Sequence, residues 1–145
     1  ECGGVKSLKL AGGRELEADL FVDCSGFGSL LLGQTLEEPY ISYRDVLYCD
    51  RAVVGSWSRA DFPDDDTIRP YTTMTTMKHG WCWRIDFEDQ VTRGYVYSSQ
   101  FCSEEEAESE LRALQPQLAA AELRLLKFPS GRRERYIVEN VVAVG

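Results

Sequence analysis

Between Trp81 and Glu88 the side chains alternate without a break: Trp81, Trp83, Ile85 and Phe87 take every second position, with Cys82, Arg84, Asp86 and Glu88 between them. Successive side chains of a strand point to opposite faces of a sheet, so a period of two fits a half-buried β-strand and not a helix. A polar turn through residues 88–93 leads into Gly94–Phe101, where Tyr95, Tyr97 and Phe101 again share a face. Two such strands joined by a turn predict a hairpin, and cross-strand pairing would set the two aromatic rows side by side as one aromatic wall. An antiparallel sheet is thus the part around which the remaining segments must pack.

Those segments supply more strands and one clear helix. Gly12-Gly13 separates Val5–Leu10 from Glu15–Asp23, a hairpin spacing, and the second arm ends in Cys24-Ser25-Gly26 before the apolar Phe27–Leu32, read as a short helix. Cys49–Trp57 and Tyr71–Met77 read as strands around a polar loop, residues 59–69. Ser103-Glu104-Glu105-Glu106 is a capping box, predicting a helix over 103–115 that stops near Pro116. Leu123–Phe128 and Tyr136–Val144 read as strands around an arginine-rich turn, Ser130–Arg135. The class is α+β, mainly antiparallel, or the inserted domain of an α/β enzyme.

Composition excludes several functions. A net charge of −8 with no basic stripe opposes phosphate backbones, so no nucleic acid is expected as partner. The longest apolar runs fall far short of the roughly 20 residues that span a bilayer, so no membrane segment is expected. Five cysteines without C-x-x-C spacing predict free thiols and a cytoplasmic setting. A single histidine, His79, leaves no His-rich metal site. Asp64-Asp65-Asp66 lacks the glycine and glutamate spacing of a calcium loop and reads as a solvated turn, so no metal is expected. The chain opens on Glu1-Cys2-Gly3-Gly4 and closes within the apolar Val141–Val144, which reads as the middle of a larger enzyme.

Three features carry chemistry. The run ADLFVDCSGFG, residues 18–28, ends a strand in small residues, either to let a ligand approach the backbone or simply to turn the chain. Trp81 and Trp83 suit core packing, the commoner role, and also the clasping of a planar ligand. Arg132, Arg133 and Arg135 suit an anion, or more simply the nearby glutamates. Cys24, beside Asp23 and without a neighbouring base, is read as a buried, inert thiol. The glutamates of 104–106 are explained by capping.

Taken together, the runs ADLFVDCSGFGSLLL, RPYTTMTTMKHGWCWRIDFEDQVTRGYVYSSQFCSEEEA and LKFPSGRRERYIVENVVAVG resemble, in order and spacing, the central part of the flavin-dependent tryptophan halogenases. The resemblance implies an FAD-binding fold of the p-hydroxybenzoate-hydroxylase type, in which reduced flavin from a separate flavin reductase, oxygen and halide yield hypohalous acid for a small aromatic substrate. It implies that 1–33 is a partial FAD domain, 34–138 the substrate-side sheet with helix 103–115, and 139–145 the start of a return to the FAD domain. Asp23, Cys24, Ser25 and Gly26 match the family's DCSG turn in the FAD-binding part, and Trp81 and Trp83 match the tryptophans of W-x-W-x-I-P near the flavin.

Asp86 stands where that signature has proline, which leaves halogenation open against another flavin-dependent oxidation. The G-x-G-x-x-G fingerprint is absent, and the family's catalytic lysine and glutamate fall outside the matching region, so no catalytic residue is assigned. The resulting expectation is a halogenase-like oxidoreductase acting on an aromatic or indole-like substrate, this chain alone inactive, binding FAD weakly or not at all, and self-associating through an exposed interdomain face. The rival is a free-standing, non-enzymatic module that binds small aromatics or a partner chain.

Overall fold

The structure is a computed structural model and describes residues 3–64 and 67–144. In chain order it contains β1 (Ser7–Lys9), β2 (Glu15–Glu17), β3 (Phe21–Asp23), β4 (Tyr40–Ser42), β5 (Arg51–Ser58), β6 (Thr73–Met77), β7 (Gly80–Asp86), β8 (Gln90–Tyr97), α1 (Glu104–Leu114), β9 (Arg124–Lys127), β10 (Gly131–Arg133), β11 (Ile137–Val138) and β12 (Val141–Ala143). This is the expected α+β mixture. The chain divides into two compact units, one built from residues up to Tyr43 and from Gly131 onward, the other from Arg44–Ser130. Glu1, Cys2, Asp65, Asp66 and Gly145, on which the cysteine count, the acidic loop and the chain ends bear, lie outside the described residues.

In the first unit β1 and β2 form the expected hairpin, turning through Gly12 and Gly13 at φ +93° and +81°, a region that favours glycine. The segment read as one arm, Glu15–Asp23, is two strands. β2 stays in the hairpin, whereas β3 joins a separate sheet of order β11-β12-β3, parallel to β12. Tyr136–Val144 is likewise not one strand but the antiparallel pair β11 and β12, turned at Glu139 with φ +50°. The arginine-rich turn contains β10, which pairs with β4. A small core of Phe21, Leu32, Val138 and Val141 holds these pieces together.

The second unit is a five-stranded sheet of order β6-β7-β8-β5-β9, with every neighbouring pair antiparallel. Helix α1 begins in the predicted capping box: the Ser103 hydroxyl accepts from the Glu106 N–H, and the Glu106 carboxylate accepts from the Ser103 N–H. Ala107 and Leu111, four residues apart and so on one helix face, pack with Val53, Trp57, Cys82, Val91, Tyr95 and Tyr97 of the sheet. Each large side chain fully buried there stabilises the unit by about 1.5–3 kcal/mol relative to exposure. A polar group shares this core. The buried Arg93 donates through Nε to Cys82 Sγ at 3.3 Å and through Nη1 to Gln115 Oε1.

The register corrects the aromatic wall. Cys82 pairs with Tyr95 and Gly80 with Tyr97, whereas Trp81 pairs with Val96 and Trp83 with Gly94. Directly paired residues share a face, so the tyrosines face α1 and both tryptophans lie on the other side. The buried side of β7 is therefore that of Cys82, and core packing is not the role of Trp81. Phe101 lies beyond the end of β8 and is exposed.

Candidate functional site

The DCSG turn sits at the carboxyl ends of two parallel strands, β3 and β12, a place where open sheets leave a crevice for ligands. Asp23 is buried and its carboxylate organises the turn. Oδ1 accepts from the Ser25 N–H at 3.1 Å and from the Ser25 hydroxyl, and Oδ2 accepts from the N–H groups of Leu31 and Leu32 at 2.9 and 3.0 Å. The Ser25 hydroxyl in turn accepts from the Leu30 N–H at 2.8 Å. Burial by itself would raise the Asp23 carboxyl, but the hydrogen bonds from Ser25, Leu32 and Leu31 outweigh it and hold the pKa below the ordinary carboxylate value.

These bonds start the helical turn Leu30–Thr35 and leave the preceding residues outward. Gly26 adopts φ +58°, with open space where a Cβ would stand, so the backbone is approachable there. Cys24 is exposed and not buried as expected, because Asp23 takes the inward position of β3 and its neighbour must face out. The turn stands where the sequence puts it, and within it the Asp23 carboxylate accepts four hydrogen bonds from the chain itself.

The second location is the helix-free face of the five-stranded sheet. Trp81 is 39% exposed and Trp83 half-buried. Trp81 also lines a cavity of about 660 Å³ with Val46, Leu47, Tyr48, Val96 and Phe101. Tyr48 and Phe101 meet edge to face, centroids 6.3 Å apart, and Cys49, Lys78, His79, Ser98, Phe128 and Ser130 complete the lining. The residues read as the far end of an aromatic strand thus form one side of a cavity. Strand and helix patterning does not point to Tyr48 and its neighbours Val46 and Leu47, although three consecutive apolar residues outside any strand pattern are a usable signal.

The arginine-rich segment is occupied internally. Glu38, buried, accepts from Arg135 Nη2 at 2.7 Å and from Arg135 Nε at 3.0 Å, which holds its carboxyl below the usual range. Arg133 donates to the Glu38 carbonyl at 2.8 Å and lies over Tyr40, and Arg132 donates to the Tyr43 hydroxyl at 2.7 Å. The glutamate pairing offered for these arginines holds for Arg135; the other two are taken up by a carbonyl and by tyrosines.

Asp86, the residue in place of the signature proline, is enclosed, its side chain 1% exposed. It accepts from Arg84 Nε at 2.7 Å and from both the N–H and Nη1 of Arg69 at 3.0 Å, with Arg59 Nη2 at 3.6 Å. Burial opposes ionisation, but these donors prevail and the pKa is lowered. Arg59 also donates to the Phe87 carbonyl at 2.8 Å, so Asp86 fastens both ends of the 59–69 loop to the end of β7. Among the described residues no helix is long and apolar enough to cross a membrane.

The family model described as tryptophan halogenase matches residues 1–145. The chain is 39% identical over 146 residues to tryptophan 7-halogenase RebH of Lentzea aerocolonigenes, covering 99% of this chain and 27% of that protein. Among solved structures, tryptophan 6-halogenase SttH of Streptomyces toxytricini superposes with a TM-score of 0.85 at 36% identity, covering 99% of this chain and 29% of that one. BrvH, a flavin-dependent halogenase from Brevundimonas sp. BAL3, does so with a TM-score of 0.79 at 34% identity, covering 100% of this chain and 29% of that one. The chain thus spans a little over a quarter of the length of these three relatives, and its mixed sheets with few helices are similar to those of flavin halogenase structures.

Proposed function

The chain belongs to the tryptophan halogenase family, and from that membership we propose that it acts as the central stretch of a flavin-dependent, halogenase-like oxidoreductase working on an aromatic or indole-like substrate. The observation that carries this reading is the placing of the Asp23–Gly26 turn at the carboxyl ends of the parallel pair β3 and β12. The turn fits FAD: Asp23 is spent on holding the loop, and Gly26, at φ +58° in open space, admits close backbone approach. In this reading Cys24, Ser25 and Gly26 present the backbone to the cofactor and Asp23 fixes their shape, while the assignment of Trp81 and Trp83 as substrate- or flavin-proximal rests on the signature they match. When bound, FAD supplies the activation of oxygen that oxidises a halide. The residues of this chain orient and exclude water.

The same reading assigns the flavin's reduction to a separate reductase and places the protein in the cytoplasm, on the strength of its sparse, unpatterned cysteines. It holds that these 145 residues alone turn over no substrate, since they carry no G-x-G-x-x-G turn to hold a pyrophosphate. Self-association is expected of the isolated chain through its exposed apolar side chains, among them Val46, Leu47 and Phe101.

The cavity beside Trp81 favours a second reading, a small-aromatic-binding module. Its volume of about 660 Å³ lies within the range of about 300–1,000 Å³ usual for small-molecule sites. Tryptophan emission separates the two. The first reading expects the isolated chain to respond weakly or not at all to FAD and not to indoles; a response to indole but none to FAD supports the module. Quenching by micromolar FAD would show that the chain is sufficient for cofactor binding and contradict its proposed insufficiency.

A further inference from the structure

Gly94 is glycine for a reason its backbone does not supply. It lies inside β8, where glycine weakens a strand, and it is not among the positive-φ glycines Gly12, Gly13 and Gly26. What it lacks is room for a side chain. A Cβ built there would stand 2.5 Å from Cζ2, 2.6 Å from Cε2 and 2.8 Å from Nε1 of Trp83. The register explains the geometry. Trp83 on β7 lies between Met74 of β6 and Gly94 of β8, all on the face turned from α1. Only the β8 side offers an empty side-chain position, and the indole occupies it, lying against the Gly94 backbone. Trp81, two residues earlier on the same face, pairs instead with Val96, has no such slot and stands 39% exposed.

We infer that Gly94 is a positioning residue for Trp83: it forms the slot that lays the indole flat on the open face of the sheet and fixes which ring face is presented outward. The inference deepens the reading of Trp83 as flavin-proximal, and so rests on it for its functional meaning. The slot itself is a matter of ring placement, testable without cofactor.

The test is fluorine NMR of the chain labelled with 5-fluorotryptophan, whose three resonances from Trp57, Trp81 and Trp83 are assigned by single Trp→Phe variants. In Gly94→Ala the Trp83 resonance is expected to move by more than its linewidth while that of Trp57, buried on the opposite face, stays in place. Removing the indole should cure the clash, so Gly94→Ala/Trp83→Leu is expected to recover the denaturation midpoint that Gly94→Ala loses. A folded Gly94→Ala with an unmoved Trp83 resonance overturns the proposal. So does a Gly94→Ala chain that fails to fold and is not rescued by Trp83→Leu, since the glycine would then serve something other than the indole. Failure of the flavin reading shows elsewhere, in cofactor retention by a complete enzyme, and leaves this result untouched.

Discussion

Replacing Asp86 with asparagine keeps the shape of the side chain and removes its charge from among three guanidinium groups. Breaking a buried ion pair by removing one partner costs about 3–5 kcal/mol when the charge left behind remains buried. Here Arg69 keeps 32% of its side chain exposed and can recover hydration, while Arg59 and Arg84 keep 11% each. Asparagine also preserves one carbonyl acceptor. The expected loss is therefore discounted to about 2–3 kcal/mol. With an m value of about 1–3 kcal/mol/M, the urea midpoint of Asp86→Asn should fall by about 0.7–3 M at pH 7 without a change in slope.

The pH dependence supplies a second check. The folded-state pKa of Asp86 is depressed, so its contribution is present in full above the unfolded value near 3.9 and is lost as pH falls through the folded value. The gap between wild type and Asp86→Asn should accordingly close in acid. A variant within about 0.5 kcal/mol of wild type at neutral pH, or a gap that persists undiminished in acid, would refute the reasoning.

The other expectations are smaller or more local. Ser103→Ala removes the acceptor of the capping box and should cost about 1 kcal/mol, read as a lower midpoint in thermal or urea unfolding. Leu111→Ala opens a cavity where α1 meets the sheet and should cost about 2–5 kcal/mol by the same measurement. Burial raises the phenol of Tyr97 to about 12, so absorbance at 295 nm should show it ionising only there; its stabilisation is complete below the ordinary tyrosine pKa and is lost as pH climbs toward the folded value. Gly26→Ala puts a Cβ at φ +58° and should destabilise by about 1–2 kcal/mol, with the first unit's near-ultraviolet circular dichroism as readout.

What the sequence discloses and what it withholds divide along physical lines. Local patterns survive into the structure: the alternation at Trp81, the Gly12-Gly13 turn and the Ser103–Glu106 box each specify their own geometry within a few residues. Pairing partners are a different matter. Nothing within Glu15–Asp23 announces that its second half leaves the hairpin to run parallel to β12, more than a hundred residues away, because that choice belongs to the burial of Phe21 against Val138 and Val141. The aromatic rows failed for a related reason. The turn sets the register, and the register placed Gly94 and Val96, not the tyrosines, opposite the tryptophans. At the candidate site the turn was legible by composition, whereas the commitment of Asp23 to four hydrogen bonds and of Asp86 to three arginines depends on residues that only folding brings together.

The most direct test of the central claim is a graft. The stretch of Streptomyces toxytricini tryptophan 6-halogenase that matches this chain is replaced by these 145 residues, and the purified chimera is assayed for bound FAD and, with a flavin reductase, oxygen, halide and tryptophan, for halogenated product. The account predicts a chimera that retains FAD and releases halogenated tryptophan; a folded chimera that retains no FAD would contradict it.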